Sequence, residues 1–180
     1  MDFDNIILIG MAAAGKSTLG RRLARRLDWA FVDTDQLLEA WWGAPLQHIK
    51  DHLGLEAFMR AEAEQILRLH LKKSVIATGG SVVYSEVAMR HLQSQGRIVY
   101  AQASFDTIAR RLNNPNSRGL AIGPGQTIKD LYLERAPLYA RFAQFTVNTD
   151  QDTPEQSCLA VIEGLSDCSK IQNSQVVQKW

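Results

Sequence analysis

Residues 10–17 read GMAAAGKS and satisfy the pattern G-x-x-x-x-G-K-[ST] at every position. That pattern needs a strand before it and a helix after it, and both are present. Residues 5–9, NIILI, form a short apolar run of strand type, and residues 17–27, STLGRRLARRL, carry leucines at helical spacing. In such a loop the two glycines let successive backbone N–H groups turn toward anionic oxygens, and the start of the helix adds the positive end of its dipole. The amides from Gly10 through Ala12, Ala13, Ala14 and Gly15 to Thr18 would then cradle a nucleotide's phosphates. Lys16 would reach the β and γ phosphates, and Ser17 would hold Mg²⁺ through its hydroxyl. A glycine-rich turn ahead of an ordinary amphipathic helix is the alternative, and it leaves the lysine and serine unexplained.

At 180 residues with 46% hydrophobic content, the chain is long enough for one well-filled core and short for two. We expect a single domain over 1–180. Lys and Arg total 20 against 19 Asp and Glu, a formal charge of +1, so no field spans the surface to hold nucleic acid or an anionic membrane. The expected partner is a small molecule, and the expected working unit is a monomer, with a dimer left open. Cys158 and Cys168 are the two cysteines, lie far from any metal-like cluster, and argue for a reducing compartment. The N-terminus has no basic opening of a signal segment, and we expect a cytoplasmic protein. Residues 166–180 read as a polar, loosely held tail.

Further along, residues 30–33 (AFVD) form a second strand that ends in Asp33, Thr34 and Asp35. Carboxylates at a strand's carboxyl end lie where open α/β sheets bind ligands; capping of the next helix by Thr34 or Asp35 explains one acid and not both. Residues 36–71 are helical in pattern, with breaks at 43–45 and 54. So much helix suggests that residues 34–72 form a substrate-binding lobe over the sheet edge. Trp41 and Trp42 read as packing residues or a subunit contact, and His48 and His52 as a solvated helix face. Glu56, Arg60 and Glu64 lie four apart and, taken alone, read as exposed helical pairs. Residues 74–78 form a strand followed by Gly79, Gly80 and Ser81, where a ligand can approach the backbone. Further elements alternate through 85–92, 97–101, 104–112, 127–142, 145–148 and 154–165, with Pro137 kinking or dividing the penultimate helix. Residues 113–126 hold two prolines and three glycines around one charge, Arg118, as a mobile lid or a plain loop. The alternation implies an α/β fold with a parallel sheet of five strands covered by helices on both faces, the three-layer phosphate-loop NTPase fold.

In this order, GMAAAGKST, FVDTD, Arg60, ATGG, the lone Arg118 and ERAPLY from Glu134 resemble the shikimate kinases, members of the nucleoside-monophosphate-kinase-like group. The resemblance implies an ATP- and Mg²⁺-dependent phosphotransferase that makes shikimate 3-phosphate on the route to chorismate and the aromatic amino acids. It implies Lys16, Asp35 and Arg118 as the catalytic groups and Ser17 with Asp33 at the metal. Arg111 would stack on adenine beside the loop holding Thr153 and Pro154, and Arg118 would close on the moving phosphoryl. Asp35, Gly79, Gly80 and Ser81 would line the acceptor pocket, with Arg60 and Arg135 clamping the carboxylate.

The acceptor pocket also departs from that family. Where its pattern is Phe-Arg-x-x-Glu, this chain reads Met59, Arg60, Ala61, Glu62, Ala63 when registered on the arginine, which removes the aromatic and the acid and leaves Glu64 to steady Arg60. The third glycine is Ser81, which either intrudes or donates a new hydrogen bond, and Gly119 replaces the proline after Arg118. The same chemistry on another small hydroxy acid, such as homoserine, is therefore a second expectation. A nucleotide-dependent switch is a third, resting on residues 51–54, DHLG, without a guanine-reading N-K-x-D.

Overall fold

The computed structural model describes residues 3–112, 121–123, 125–150 and 153–177, with side chains up to Ser166. Its centre is β1 (Asn5–Ile9), every residue of which is buried. A strand covered on both faces must be apolar throughout, and NIILI is, apart from Asn5 at its start. The side chain of Asn5 is fully engaged: Nδ2 donates to the Leu71 and Gln95 carbonyls at 2.7 and 2.8 Å, and Oδ1 accepts from Ser74 N.

Around β1 the sheet has the order β2-β3-β1-β4-β5, with β2 (Ala30–Asp33), β3 (Ser74–Ala77), β4 (Arg97–Gln102) and β5 (Phe145–Asn148). All pairings are parallel; Leu8 lies opposite Ala77 on one side and Val99 on the other. Because β1 sits between β3 and β4, the chain reverses its direction of travel across the sheet there. Loops from the two halves diverge at that point, which opens a crevice at the carboxyl ends of the strands.

The two-residue period of the strands divides the interior in two. Ile6, Leu8, Val75 and Val99 face a layer made by α1 (Lys16–Leu27) and α8 (Pro154–Val177), through Leu19, Leu23, Cys158, Val161 and Leu165. Ile7, Ile9, Ile76, Ile98 and Tyr100 face the other layer, built from α5 (Glu86–Gln95), α6 (Phe105–Leu112) and α7 (Ile128–Phe142). Each such side chain taken out of water contributes about 1.5–3 kcal/mol before the entropy of ordering is subtracted. Between β2 and β3, α2 (Thr34–Trp42), α3 (Leu46–Leu53) and α4 (Leu55–Leu67) enclose a small core of their own, made of Leu38, Leu46, Ile49 and Phe58 with Ala121. A parallel five-stranded sheet between helical layers is the fold that the alternating pattern implied.

Three details differ from the sequence reading. Pro137 does not divide α7, which runs unbroken from Ile128 to Phe142 behind a capping box of Thr127 and Asp130. The carbonyl that loses its partner to a proline belongs to the residue four earlier, Leu133, which lies on an exposed face of the helix. The helix begun at Pro154 continues to Val177, through most of the segment read as a loose tail. Trp41 is 71% exposed, with the Arg68 guanidinium 5.1 Å from its ring, which excludes core packing and leaves the subunit-contact reading.

Candidate active site

The first wall of the crevice is the loop between β1 and α1. A side chain at Gly10 would lie 2.5 Å from the Ala101 carbonyl oxygen of β4, and the residue has φ +143°, so glycine is required there for two reasons. Ala13 and Gly15 are also left-handed, at φ 62° and 92°. The resulting loop is closed by a bond from Ala14 N to Met11 O at 3.1 Å. Lys16 stands inside it, and its Nζ donates to the Gly10 and Met11 carbonyls at 2.8 Å each. Burial pushes the Lys16 ammonium down to about 8, against the opposing pull of Asp35 and Asp33. A phosphate arriving beside it would favour the charged form.

Ser17 Oγ donates to Asp33 Oδ2 at 2.8 Å. The other oxygen of Asp33 accepts from Asp35 N at 3.1 Å and caps α2. The cap is thus Asp33, not Thr34 or Asp35, and one carboxylate both starts the helix and meets the loop serine. Hydroxyl and carboxylate oxygens side by side at the foot of a phosphate cradle suit a hard divalent cation such as Mg²⁺. The remaining hydroxyl of the triplet, Thr34 Oγ1, accepts from Gly79 N at 3.0 Å and ties α2 to the end of β3.

At the end of the cleft beside α6, Arg111 donates from Nη1 to Ala13 O and from Nη2 to Thr149 O, both at 3.0 Å. Thr149 Oγ1 in turn donates to Ala14 O at 2.8 Å, so the phosphate loop and the segment after β5 are stitched together. Arg111, Thr149, Asp150 and Pro154 line the cleft there. Thr153 does not: its hydroxyl accepts from Gln156 N at 3.3 Å and serves the start of α8. Sequence reading missed Thr149 and Asp150, which belong to no motif and reach the site only through the position of β5.

The opposite end is lined by Asp35, Phe58, Glu62, Gly80, Ser81 and Arg135, within a cleft of about 580 Å³ that also contains Lys16 and Ser17. Arg135 is 2% exposed. Its Nε donates to Tyr84 Oη at 3.1 Å and its Nη2 to Ala121 O at 2.9 Å, while Tyr139 Oη donates to Gly80 O at 2.6 Å. α7 thus supplies a fixed guanidinium and a fixed phenol behind the glycine turn.

Arg60 is not part of this site. It points outward from α4 and pairs with Glu56 at 2.6 Å, both side chains mostly exposed, as the spacing of the charges taken alone suggests. Phe58, Glu62 and Ile66 are the buried residues of α4, and they recur every four positions. That stripe was the signal available in the sequence. It moves the Phe-Arg-x-x-Glu pattern one residue, so that Phe58 and Glu62 supply the aromatic and the acid and Met59 stands in the arginine's place. Glu62 is 8% exposed; burial pushes its carboxyl up to about 7, although Ser81, Arg135 and Lys16 pull the other way. Ser81 Oγ donates to Glu62 Oε2, so the serine makes a new bond. Gly79 works by having no side chain, since a Cβ there would run into Glu62 Oε1 and lie 2.9 Å from Asp35 Oδ1. Arg118 lies outside the described residues.

With one cleft joining an anion cradle to an arginine and paired acids, relatives are informative. The shikimate kinase family model matches residues 12–166. A shikimate kinase of Thermodesulfovibrio yellowstonii is 36% identical over 162 residues, covering 88% of this chain and 93% of the relative. Among solved structures, the shikimate kinase of Acinetobacter baumannii in complex with shikimate superposes with a TM-score of 0.83 at 27% identity, covering 92% of this chain and 94% of that one. The Aquifex aeolicus shikimate kinase gives 0.77 at 28% identity, with 92% and 98% covered. Gly10, Lys16, Ser17, Asp33, Glu62 and Arg135 therefore stand on a scaffold shared across the whole domain, and the chain belongs to the shikimate kinase family, whose members are small-molecule phosphotransferases.

Proposed function

We infer that this chain transfers the terminal phosphoryl group of ATP, in the presence of Mg²⁺, to a hydroxyl of shikimate, giving shikimate 3-phosphate. One observation carries the reading: the phosphate loop with Lys16, and the buried Arg135 with Asp35, line a single cleft, with Arg135 Nη1 and Ala12 N meeting around Gly80. Phosphoryl transfer asks little covalent help of a protein and much positioning and charge stabilisation. Loop amides and Lys16 hold the phosphates, and Arg111 with Pro154 borders the base. Ser17 and Asp33 are the residues that would hold Mg²⁺, which when bound neutralises charge on the phosphate oxygens.

On the acceptor side, Arg135 offers a charge-assisted hydrogen bond to a carboxylate, worth about 1.5–3 kcal/mol. Asp35 accepts from the reacting hydroxyl and orients it toward the phosphate. Arg118, by the family resemblance, closes over the transferring group. A switch reading loses its footing, because the Asp51 to Gly54 stretch ends α3 instead of following a strand.

The test is an acceptor screen by mass spectrometry with ATP and Mg²⁺. A phosphorylated product from shikimate at a rate above that from homoserine is expected; a homoserine rate far above the shikimate rate would overturn the assignment. In the same assay Arg135→Ala raises the acceptor KM at least tenfold and leaves the KM for ATP within about twofold.

A further inference from the structure

The end of β3 does two unequal things to the acceptor pocket. At Gly79 the missing side chain lets two carboxyl groups from different helices, Asp35 of α2 and Glu62 of α4, converge on the same point. Two residues later a hydroxyl appears, on Ser81, which is 5% exposed. Its backbone, at φ −93° and ψ −5°, suits any residue, and its side chain makes no cap bond to the 3-10 turn Val82–Tyr84 that it precedes. Neither conformation nor capping asks for serine. The hydroxyl serves Glu62: it donates to Oε2 and leaves Oε1 as the oxygen beside Asp35.

Two carboxyls so placed repel when both are charged, and the arrangement is relieved by donors that lie between them. Ionised carboxyl oxygens only accept, and hydroxyls can donate. An acceptor with two neighbouring hydroxyls supplies one donor to each. An acceptor with a single hydroxyl leaves one carboxyl unmatched.

We propose that Ser81 is a positioning residue that fixes Glu62 so that Glu62 and Asp35 together read two adjacent hydroxyls of the acceptor, making the pocket selective for a vicinal diol carboxylate over a simple alcohol. This deepens the reading of the acceptor as shikimate and rests on it. The reacting hydroxyl goes to Asp35 and its neighbour to Glu62, while Arg135 holds the carboxylate.

Steady-state kinetics of the wild type, Ser81→Gly and Glu62→Gln, each with shikimate and with its 4-deoxy analogue, test the proposal. For the wild type, removing the 4-hydroxyl raises the acceptor KM. In Ser81→Gly the KM for shikimate rises about five- to tenfold, the scale of one buried hydrogen bond, with the KM for ATP unchanged and kcat within about threefold. The penalty for removing the 4-hydroxyl shrinks by the same factor, because the reader of that hydroxyl is already displaced. Glu62→Gln shows the same loss of discrimination. Equal penalties on the two acceptors, or no change in either, would overturn the couple while leaving the kinase assignment intact. Failure of the wild type to turn over shikimate would overturn both.

Discussion

Glu62 and Lys16 are buried groups pushed toward neutrality from opposite sides, Glu62 up to about 7 and Lys16 down to about 8. For Glu62 the folded value lies above the ordinary 4.5, so its contribution to stability is complete below that pH and is lost as pH rises through about 7. For Lys16 the folded value lies below the ordinary 10.5, so its contribution is present above that pH and lost as pH falls through about 8. Glu62→Gln removes the first dependence. Thermal unfolding of the wild type should lose stability relative to this variant between about pH 4.5 and pH 7, by roughly 2–4 kcal/mol in all; parallel profiles would show that Glu62 ionises freely in the fold. Lys16→Ala should lower kcat by about a hundredfold or more, the scale of a lost transition-state charge contact, while the circular dichroism stays native. A fully active variant would remove Lys16 from the phosphates.

At the scale of elements, α1 and α4 show how helix faces decide the site. Gly20 lets α1 approach the sheet, since a Cβ there would meet the Phe31 ring at 2.5 Å and Leu8 at 3.1 Å. Gly20→Ala should therefore cost about 1–3 kcal/mol in denaturant unfolding, the range for overpacking, rather than give the stabilisation that alanine brings to an open helix position. A more stable variant would show that the helix can back away freely. On α4, Met59 precedes Glu62 by three residues and shares its side of the helix. Met59→Arg should lower the KM for shikimate severalfold by adding a second guanidinium near the carboxylate, and a raised KM would mean that the pocket has closed over that position.

These elements also show what could be read beforehand. The phosphate loop and β1 were legible because their requirements are local: glycine at tight turns, an unbroken apolar run in a central strand. The facing of α4 was not, because Glu56, Arg60 and Glu64 make as regular a series as Phe58, Glu62 and Ile66, and it is the packing of α4 on α2, α3 and α5 that chooses between them. Reading the arginine as the anchor placed a surface ion pair in the pocket. Asp33 was legible as an acid at a strand end, but the hydrogen bond it accepts from Ser17 needed α1 set beside β2. The Ser81 to Glu62 contact joins residues 19 apart across two elements, so the sequence offered the hydroxyl without its partner.

For the whole molecule, the sheet order places β1 between β3 and β4, and that single topological fact puts the phosphate loop, the glycine turn, and Asp33 with Asp35 at one edge. α7 then crosses behind with Arg135, and the segment after β5 closes the other end of the cleft through Thr149 and Arg111. Among the described residues no helix is long and apolar enough to cross a membrane, and no group of three or more His, Cys, Asp and Glu could hold a metal ion by itself. Phosphorus NMR of the chain with ATP, Mg²⁺ and shikimate examines the joined cleft as a working unit. A phosphomonoester resonance coupled to the proton at C3 of the ring, growing as the γ-phosphate signal falls, is the predicted result. Loss of the γ-phosphate to inorganic phosphate alone, or no change while both ligands are bound, would contradict it.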